Sequence, residues 1–254
     1  MTDRSRTRPT KNERREEARR RRAELQRQAE RARRNRMIAI GVSVVVVAAA
    51  VVFLVTRPEE QSAATERAAQ VLATSAAQTQ AAGCDEVRNV GPYQPEDLDQ
   101  GHVGTEDGPA EMPAFSTYPS QPPASGPHGT TTLSAGVYSS PPAMEPLIHS
   151  LEHGAAVVWY APDAPEADVA EIQDFYEDPE VGSRVIVAPY DYPDQGEAGA
   201  LPEGTQMALV SWHHVQTCAA ANLGAAFGFT ARYGVPTFEG EDWLGDAPEP
   251  GASI

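Results

Sequence analysis

The chain has little cysteine and, beyond its first 36 residues, little positive charge. Its two cysteines among 254 residues exclude a cysteine-dense scaffold and a four-cysteine zinc site. Residues 37–254 carry 5 bases and 30 acids, a net charge of -25, whereas residues 1–36 carry 15 bases and 6 acids, a net charge of +9. A surface this acidic repels phosphate backbones, so we predict no nucleic-acid ligand for residues 37–254.

Familiar catalytic motifs are also missing from the sequence. It contains no Gly-x-Ser-x-Gly, no Ser-x-x-Lys and no glycine-rich phosphate loop. Cys-x-x-Cys is absent as well, which removes the usual signature of a thioredoxin-like redox site. His149 is followed by Ser150, whereas the zinc-protease pattern requires Glu at that position. The sequence therefore does not predict an enzyme.

The longest apolar run, residues 37–56, predicts a single transmembrane helix. Its 20 uncharged residues would rise about 30 Å, the thickness of a bilayer core. The basic arm, residues 1–36, should stay in the cytoplasm, so the rest of the chain should be exported across the cell membrane. A cleaved signal peptide would have a shorter apolar region, so we favour an uncleaved signal anchor. The arm has two interpretations, a topology signal and a contact for anionic lipid headgroups.

Composition divides the exported part into three segments. Residues 57–83 are rich in Ala, Gln, Thr and Ser, which predicts a semi-helical stalk linker. Residues 84–236 form the expected globular domain. Residues 237–254 are an acidic tail rich in Pro and Gly, expected to be disordered unless Phe238 and Trp243 dock it.

Within the globular domain, the first part is rich in Pro and Gly and predicts loops with short strands. Regular elements follow, in the order strand, helix, strand, strand, helix. They are predicted at residues 155–160, 167–176, 184–188, 207–212 and 217–233. The fold class is therefore α/β: a small exported α/β domain with a Pro/Gly-rich loop half, preceded by one transmembrane helix.

The two cysteines predict one disulfide bond. Cys84 opens the globular domain and Cys218 lies in its predicted last helix. An exported domain permits disulfides, and this bond would close a loop of 134 residues (218 minus 84). Chain entropy gives such a bond at most about 4–5 kcal/mol. A redox-active pair is the alternative interpretation.

Four histidines, His102, His128, His149 and His153, fall within 52 residues of the domain. On a helix, His149 and His153 would share a face with β-carbons about 6 Å apart, a distance that one metal ion can bridge. On a strand the same pair would be about 13 Å apart. The alternative to a metal site is that these histidines bond loop carbonyls.

The stretch from Pro146 to His153 fits about two helical turns. Leu147 and Leu151 would then form an apolar stripe facing the core, with the histidines on an adjacent face. Because Pro-rich loops are stiff, we expect His128 to be held against that histidine face.

The residue types near these histidines leave the identity of the metal open. Imidazole with the thioethers of Met112 or Met144 would suit copper, whereas imidazole with carboxylate suits zinc. The adjacent pair His213 and His214 would point to opposite faces of a strand, so we do not include it among the ligands.

Two short motifs carry a family resemblance. Pro-Pro-x-Ser-Gly-x-His occupies residues 122–128 and Leu-Glu-His-Gly occupies residues 151–154. With them, residues 84–236 resemble the domain-of-unknown-function 3105 family, mostly actinobacterial proteins with one amino-terminal membrane helix. His213 and His214 depart from the pattern, where a Gly or a polar residue is expected. The resemblance implies a location and a motif but no chemistry.

Two functions from different classes follow, and an enzyme acting in the envelope is a third, less favoured interpretation. The first is a membrane-anchored extracytoplasmic binding module that uses the four histidines for copper or zinc. The second is a non-catalytic structural or assembly partner of envelope or respiratory membrane proteins, in which the histidines only pack.

Overall fold

The computed structural model describes residues 62–254 of the chain. Among these residues, no helix combines the length and the apolar character needed to cross a membrane. The basic arm and the apolar run at residues 37–56 lie outside the described residues, so their predicted topology stays a prediction.

A mixed six-stranded sheet forms the centre of the fold. Its strands are β1 (Arg88–Asn89), β2 (Gly136–Val137), β3 (Ala156–Tyr160), β4 (Val185–Pro189), β5 (Met207–Ser211) and β6 (His214–Cys218). The order across the sheet is β1-β6-β5-β3-β4-β2. Strands β2, β3 and β4 run parallel, whereas β5 is antiparallel to β3 and to β6, and β1 is antiparallel to β6. The predicted α/β class is confirmed.

Within residues 62–254, five α-helices pack around the sheet. They are α1 (Ala63–Ala81), α2 (Met144–Glu152), α3 (Glu166–Tyr176), α4 (Pro179–Gly182) and α5 (Leu223–Tyr233). Side chains at the N-caps fix where three of them begin, because each accepts a hydrogen bond from an N–H of the first turn that has no partner within the helix. At the start of α4, Asp178 accepts from Glu180. Ser62 accepts from Thr65 at the start of α1, and Asn222 accepts from Ala225 at the start of α5.

The buried strand β3 sends alternate side chains into two separate cores, as the period of a strand requires. Val157 and Trp159 belong to the core that contains the apolar stripe of α2 and the aromatic side chains of the Pro-rich loops. Val158 belongs to the other core, together with side chains from α1, α3 and α5. Helix α2 therefore packs on the loop side of the sheet, away from those three helices.

The segment predicted as a stalk differs from that expectation, because its helix α1 packs along α5. Two glycines of α5 allow the close approach. A β-carbon at Gly228 would lie 2.9 Å from the Ser75 β-carbon, and one at Gly224 would lie 2.3 Å from the Gln78 side-chain oxygen. Ala68 is fully buried as a result. Residues 63–81 thus belong to the same compact unit as the predicted globular domain.

Strand β6 was missed by the sequence reasoning, which placed a helix over residues 217–233. The helix begins only at Leu223. Before it, Val215 and Thr217 pair with Val210 and Ala208 of β5. Both are β-branched residues that suit a pleated sheet, and the hydrogen bonds of a full hairpin outweigh the helical spacing of the sequence.

The predicted disulfide bond is confirmed. Cys84 and Cys218 are joined with an S–S distance of 2.07 Å and a Cα–Cα distance of 3.8 Å. The bond links the segment after α1 to strand β6, because Cys218 ends that strand and does not lie in the last helix.

The carboxyl-terminal tail docks on the domain. The Phe238 ring packs edge-to-face against the Phe227 ring, with centroids 5.3 Å apart, whereas Trp243 is 40% exposed. Farther along, the Arg184 guanidinium donates to the Gly251 carbonyl at 2.9 Å. The Leu244 N–H also donates to the Arg232 carbonyl at 2.8 Å. Hydrogen bonds to the backbone therefore hold the tail against the domain together with Phe238.

Candidate metal centre

Helix α2 presents three polar side chains beside the Pro-rich loops. It carries His149 and Glu152 three positions apart and is capped at its carboxyl end by His153. Spacings of three and four residues put side chains on one helix face. Leu147 and Leu151 are fully buried and form the separate apolar stripe that the sequence predicted. The predicted helix is thus confirmed.

The other two histidines of the sequence-based set lie on loop segments that pair with each other. The Val103 N–H donates to the His128 carbonyl at 2.7 Å, and the His128 N–H donates to the Gly101 carbonyl at 3.0 Å. This short parallel bridge holds His102 directly beside His128. Their spacing in the sequence, 26 residues, gives no indication of this contact.

The loop that leads into His128 is fixed by tight packing. Gly126 has a φ of 113°, and a β-carbon there would lie 2.8 Å from the Tyr93 ring and 2.9 Å from the Tyr118 ring. Only glycine fits both the backbone conformation and the space. The Tyr118 hydroxyl also donates to the Pro127 carbonyl at 2.7 Å. The motif residues at this point therefore hold the imidazole of His128 in place.

Four side chains converge at this point: His102, His128, His149 and Glu152. One potential ligand atom from each lies within 4.8 Å of the others. The three imidazole centroids are 4.8, 4.9 and 5.1 Å apart. The Glu152 Oε2 atom lies 3.1 Å from His128 Nε2 and 3.8 Å from His149 Nε2. Glu152 was not among the predicted ligands, although its spacing of three residues from His149 on a helix indicates a shared face.

Hydrogen bonds to the backbone orient two of the rings. His128 donates from Nδ1 to the Gly126 carbonyl, and His149 donates from Nδ1 to the Gly129 carbonyl, both at 2.8 Å. A carbonyl can only accept, so Nδ1 carries the proton in each ring. In the neutral tautomer the lone pair is then on Nε2, which faces Glu152 in both cases. Metal-binding histidines are commonly fixed in this way.

Burial sets the electrostatics of the cluster. The side chains of His128 and Glu152 are 0% and 3% exposed, and that of His149 is 10% exposed. Burial, followed by the neighbouring His128, lowers the pKa of His149 below its ordinary value. His149 therefore stays neutral to lower pH than a free histidine and keeps its lone pair available.

The fourth predicted ligand, His153, lies at the edge of the cluster. Its Nε2 atom is 3.1 Å from His149 Nε2 and 3.3 Å from Glu249 Oε2. Its Nδ1 donates to the Ser253 carbonyl at 2.7 Å. His153 is not one of the four side chains that converge within 4.8 Å, and it connects that group to the carboxyl-terminal tail.

The two methionines of this segment, Met112 and Met144, have other contacts. The Met112 sulfur lies 3.3 Å from the Tyr118 hydroxyl, and Met144 is buried in the apolar core. The four side chains that converge supply nitrogen and oxygen atoms.

A second histidine and carboxylate cluster forms where β5 turns into β6. His213, at a φ of 58°, bonds Asp99 through Nε2 at 2.8 Å and Asp246 of the tail through Nδ1 at 3.1 Å. Burial opposes the charged ring, but these two carboxylates outweigh it and raise the pKa of His213. Burial also opposes ionisation of Asp99, but the hydrogen bonds from His213 and from the Tyr93 N–H lower its pKa. His213 and His214 are not among the four side chains that converge. The prediction that they point to opposite faces of a strand is wrong, because His213 lies in the turn before β6 and both rings contact Asp246.

Comparison with known proteins gives one match. A family model with the description "Protein of unknown function (DUF3105)" matches residues 111–242. The matched region contains His128, His149 and Glu152, whereas His102 precedes it. Neither the curated proteins nor the solved structures contain a match.

Proposed function

Because the chain belongs to the DUF3105 family, whose description assigns no activity, its function has to be argued from its own residues. We propose that it binds one divalent transition-metal ion. The ligands of this ion are His102, His128, His149 and Glu152. His153 lies just outside them.

One observation carries this proposal: lone pairs face each other across the cluster. Since the Nδ1 protons of His128 and His149 are used by backbone carbonyls, their Nε2 atoms are acceptors in the neutral rings, and Glu152 is an acceptor too. His128 Nε2 and Glu152 Oε2 are both acceptors and lie 3.1 Å apart. Two acceptors this close repel each other unless a cation, either a proton or a metal ion, lies between or beside them. These three buried acceptors, together with a nitrogen of the partly exposed His102, suit one divalent ion.

The distances fit tetrahedral coordination after a small contraction. Ligand atoms at about 2.0–2.1 Å from a tetrahedral ion lie about 3.3 Å from one another. The longest separation in the cluster is 4.8 Å, so each ligand atom needs to move by less than about 1 Å. Three imidazoles and one carboxylate suit zinc and also accept Cu²⁺. The nitrogen and oxygen atoms of these four side chains suit Zn²⁺ better than Cu⁺, which prefers sulfur ligands, so we favour zinc.

The same proposal includes a location. The +9 arm and the 20-residue apolar run support a single-pass membrane protein whose metal-binding domain is extracytoplasmic. A disulfide bond fits an oxidising compartment, which supports the same orientation. A reporter enzyme that works only outside the cytoplasm should be active when it is fused to the carboxyl terminus. Activity of a cytoplasmic reporter at that position would contradict this topology.

Cobalt titration of the full chain tests the metal site, because tetrahedral Co²⁺ has a strong visible absorption. We expect one equivalent to produce this band in the wild-type chain. His128→Ala should abolish it, and so should the nearly isosteric Glu152→Gln, which keeps the volume of the buried side chain. His214→Ala is the matched control, because His214 lies outside the cluster, and it should leave the band unchanged.

The alternative function makes the opposite prediction for the same titration. If the histidines only pack, the wild-type chain produces no band, and Glu152→Gln changes stability alone. That result would favour a structural or assembly partner of membrane proteins over a metal-binding module.

A further inference from the structure

An ion that binds the inner ligands needs a route through the protein surface. Side-chain exposure rises steadily along one direction from the buried ligands. It is 0% at His128, 3% at Glu152, 10% at His149, 12% at His153 and 60% at Glu249. The last two residues are not among the four convergent ligands, yet they continue the same series to solvent.

The atoms along this series are spaced as neighbouring ligands of one ion would be. The steps are 3.1 Å from His128 Nε2 to Glu152 Oε2 and 3.8 Å from there to His149 Nε2. Then come 3.1 Å to His153 Nε2 and 3.3 Å to Glu249 Oε2. Two ligands of a tetrahedral ion lie about 3.3 Å apart, so an ion can exchange one ligand for the next without leaving the series.

The outer end of the series is held in place by backbone contacts. The Glu249 N–H donates to the Glu152 carbonyl and the Gly251 N–H donates to the His153 carbonyl, both at 3.1 Å. His153 donates from Nδ1 to the Ser253 carbonyl at 2.7 Å. This last bond leaves the Nε2 lone pair of His153 directed toward His149 and Glu249, just as the Gly126 and Gly129 bonds orient the inner rings.

We propose that His149, His153 and Glu249 form an outer, transient site through which the metal ion reaches the inner four-residue site. This inference rests on the proposed metal-binding function. His149 belongs to both sites and passes the ion inward, where Glu152 and two further imidazoles replace His153 and Glu249 as ligands. The tail therefore supplies an acid that captures the ion at the surface.

A second exposed acid offers a competing route. His102 has a side chain that is 27% exposed, and its Nδ1 atom lies 4.0 Å from the carboxylate of Asp107, which is 75% exposed. That separation is longer than any step of the series from His128 to Glu249. Asp107 is therefore the matched control for Glu249, since both are exposed acids beside a histidine of the cluster.

The experiment is rapid mixing of the full chain with Co²⁺, with release followed by transfer to excess chelator. Glu249→Gln should slow loading by about tenfold, because a surface charge that concentrates a cation raises its association rate by at least that factor. His153→Ala should slow loading further. Both variants should slow release by the same factor as loading and leave the equilibrium affinity within about threefold, since the inner ligands are intact. Asp107→Asn should load at the wild-type rate.

Three outcomes would overturn the inference. Equal loading rates for Glu249→Gln and the wild type would remove the outer site, and slowing by Asp107→Asn alone would move the route to His102. A loss of equilibrium affinity in His153→Ala as large as that in Glu152→Gln would make His153 a permanent ligand. Each of these leaves the inner site standing, whereas a wild-type chain that binds no Co²⁺ overturns the proposed function together with this inference.

Discussion

The cluster around His213 makes a stability prediction that does not depend on a metal ion. Replacing His213 by Ala removes hydrogen bonds to a buried acid, Asp99, and to a tail acid, Asp246, whose side chain is 41% exposed. The bond to the buried acid contributes about 1.5–3 kcal/mol, as hydrogen bonds to charged groups do. The exposed one adds about 0–1 kcal/mol. We expect His213→Ala to lower the free energy of unfolding by about 2–4 kcal/mol at pH 5.5.

The cost of this substitution should depend on pH. Because the folded pKa of His213 is raised, its ionic contribution is complete below the ordinary value of 6.5 and is lost as the pH rises through the folded pKa. Because the folded pKa of Asp99 is lowered, its contribution is complete above 3.8 and is lost as the pH falls through the folded pKa. The difference between wild type and variant should therefore be largest between about pH 4 and 6.5.

Urea unfolding of the full chain at pH 5.5 and pH 9, followed by tryptophan fluorescence, measures this difference. His213→Gly is the informative second variant, because a left-handed backbone costs a non-glycine residue about 1–2 kcal/mol. We expect it to be more stable than His213→Ala by about 1 kcal/mol. A cost for His213→Ala that is equal at both pH values would refute the ion-pair reasoning, whatever its size.

Three further predictions concern the disulfide, the helix and the site. Replacing both Cys84 and Cys218 by Ser should lower the free energy of unfolding by at most about 4–5 kcal/mol in urea titrations. An unchanged free energy of unfolding would contradict the idea that the disulfide stabilises the domain by restricting the unfolded chain. Ser150→Ala should cost about 1–3 kcal/mol, because the buried hydroxyl bonds both the N–H and the carbonyl of Leu133. In calorimetric zinc titrations, Glu152→Gln should weaken binding by at least about 100-fold, more than loss of an outer-sphere partner usually does. An unchanged affinity would exclude Glu152 from the ligands.

The sequence carried enough information for the local part of the site. Leu147 and Leu151, spaced four apart after Pro146, predict a short helix, and that helix places His149 and His153 on one face. This helix could be predicted because the spacing of apolar residues along a helix depends only on the local sequence, and the core buries the same face. The disulfide was equally accessible, since only two cysteines are available to pair.

The long-range part of the site was beyond the sequence. His102 meets His128 only because two irregular loops pair through backbone hydrogen bonds, which leave no periodic pattern. Glu249 reaches His153 because backbone contacts dock a tail whose composition predicts disorder. Strand β6 was not predicted for a related reason. The turn that joins it to β5 has His213 in the left-handed conformation, where glycine is the usual sign of a hairpin in a sequence.

The central claim is that one metal ion binds the convergent histidines and Glu152. The most direct test is equilibrium dialysis of the full wild-type chain against Zn²⁺ at pH 7.5, with zinc per chain measured by mass spectrometry. The account predicts one tightly held ion per wild-type chain and none per Glu152→Gln chain at the same free zinc concentration. A wild-type chain that retains no more zinc than the Glu152→Gln chain would contradict the account.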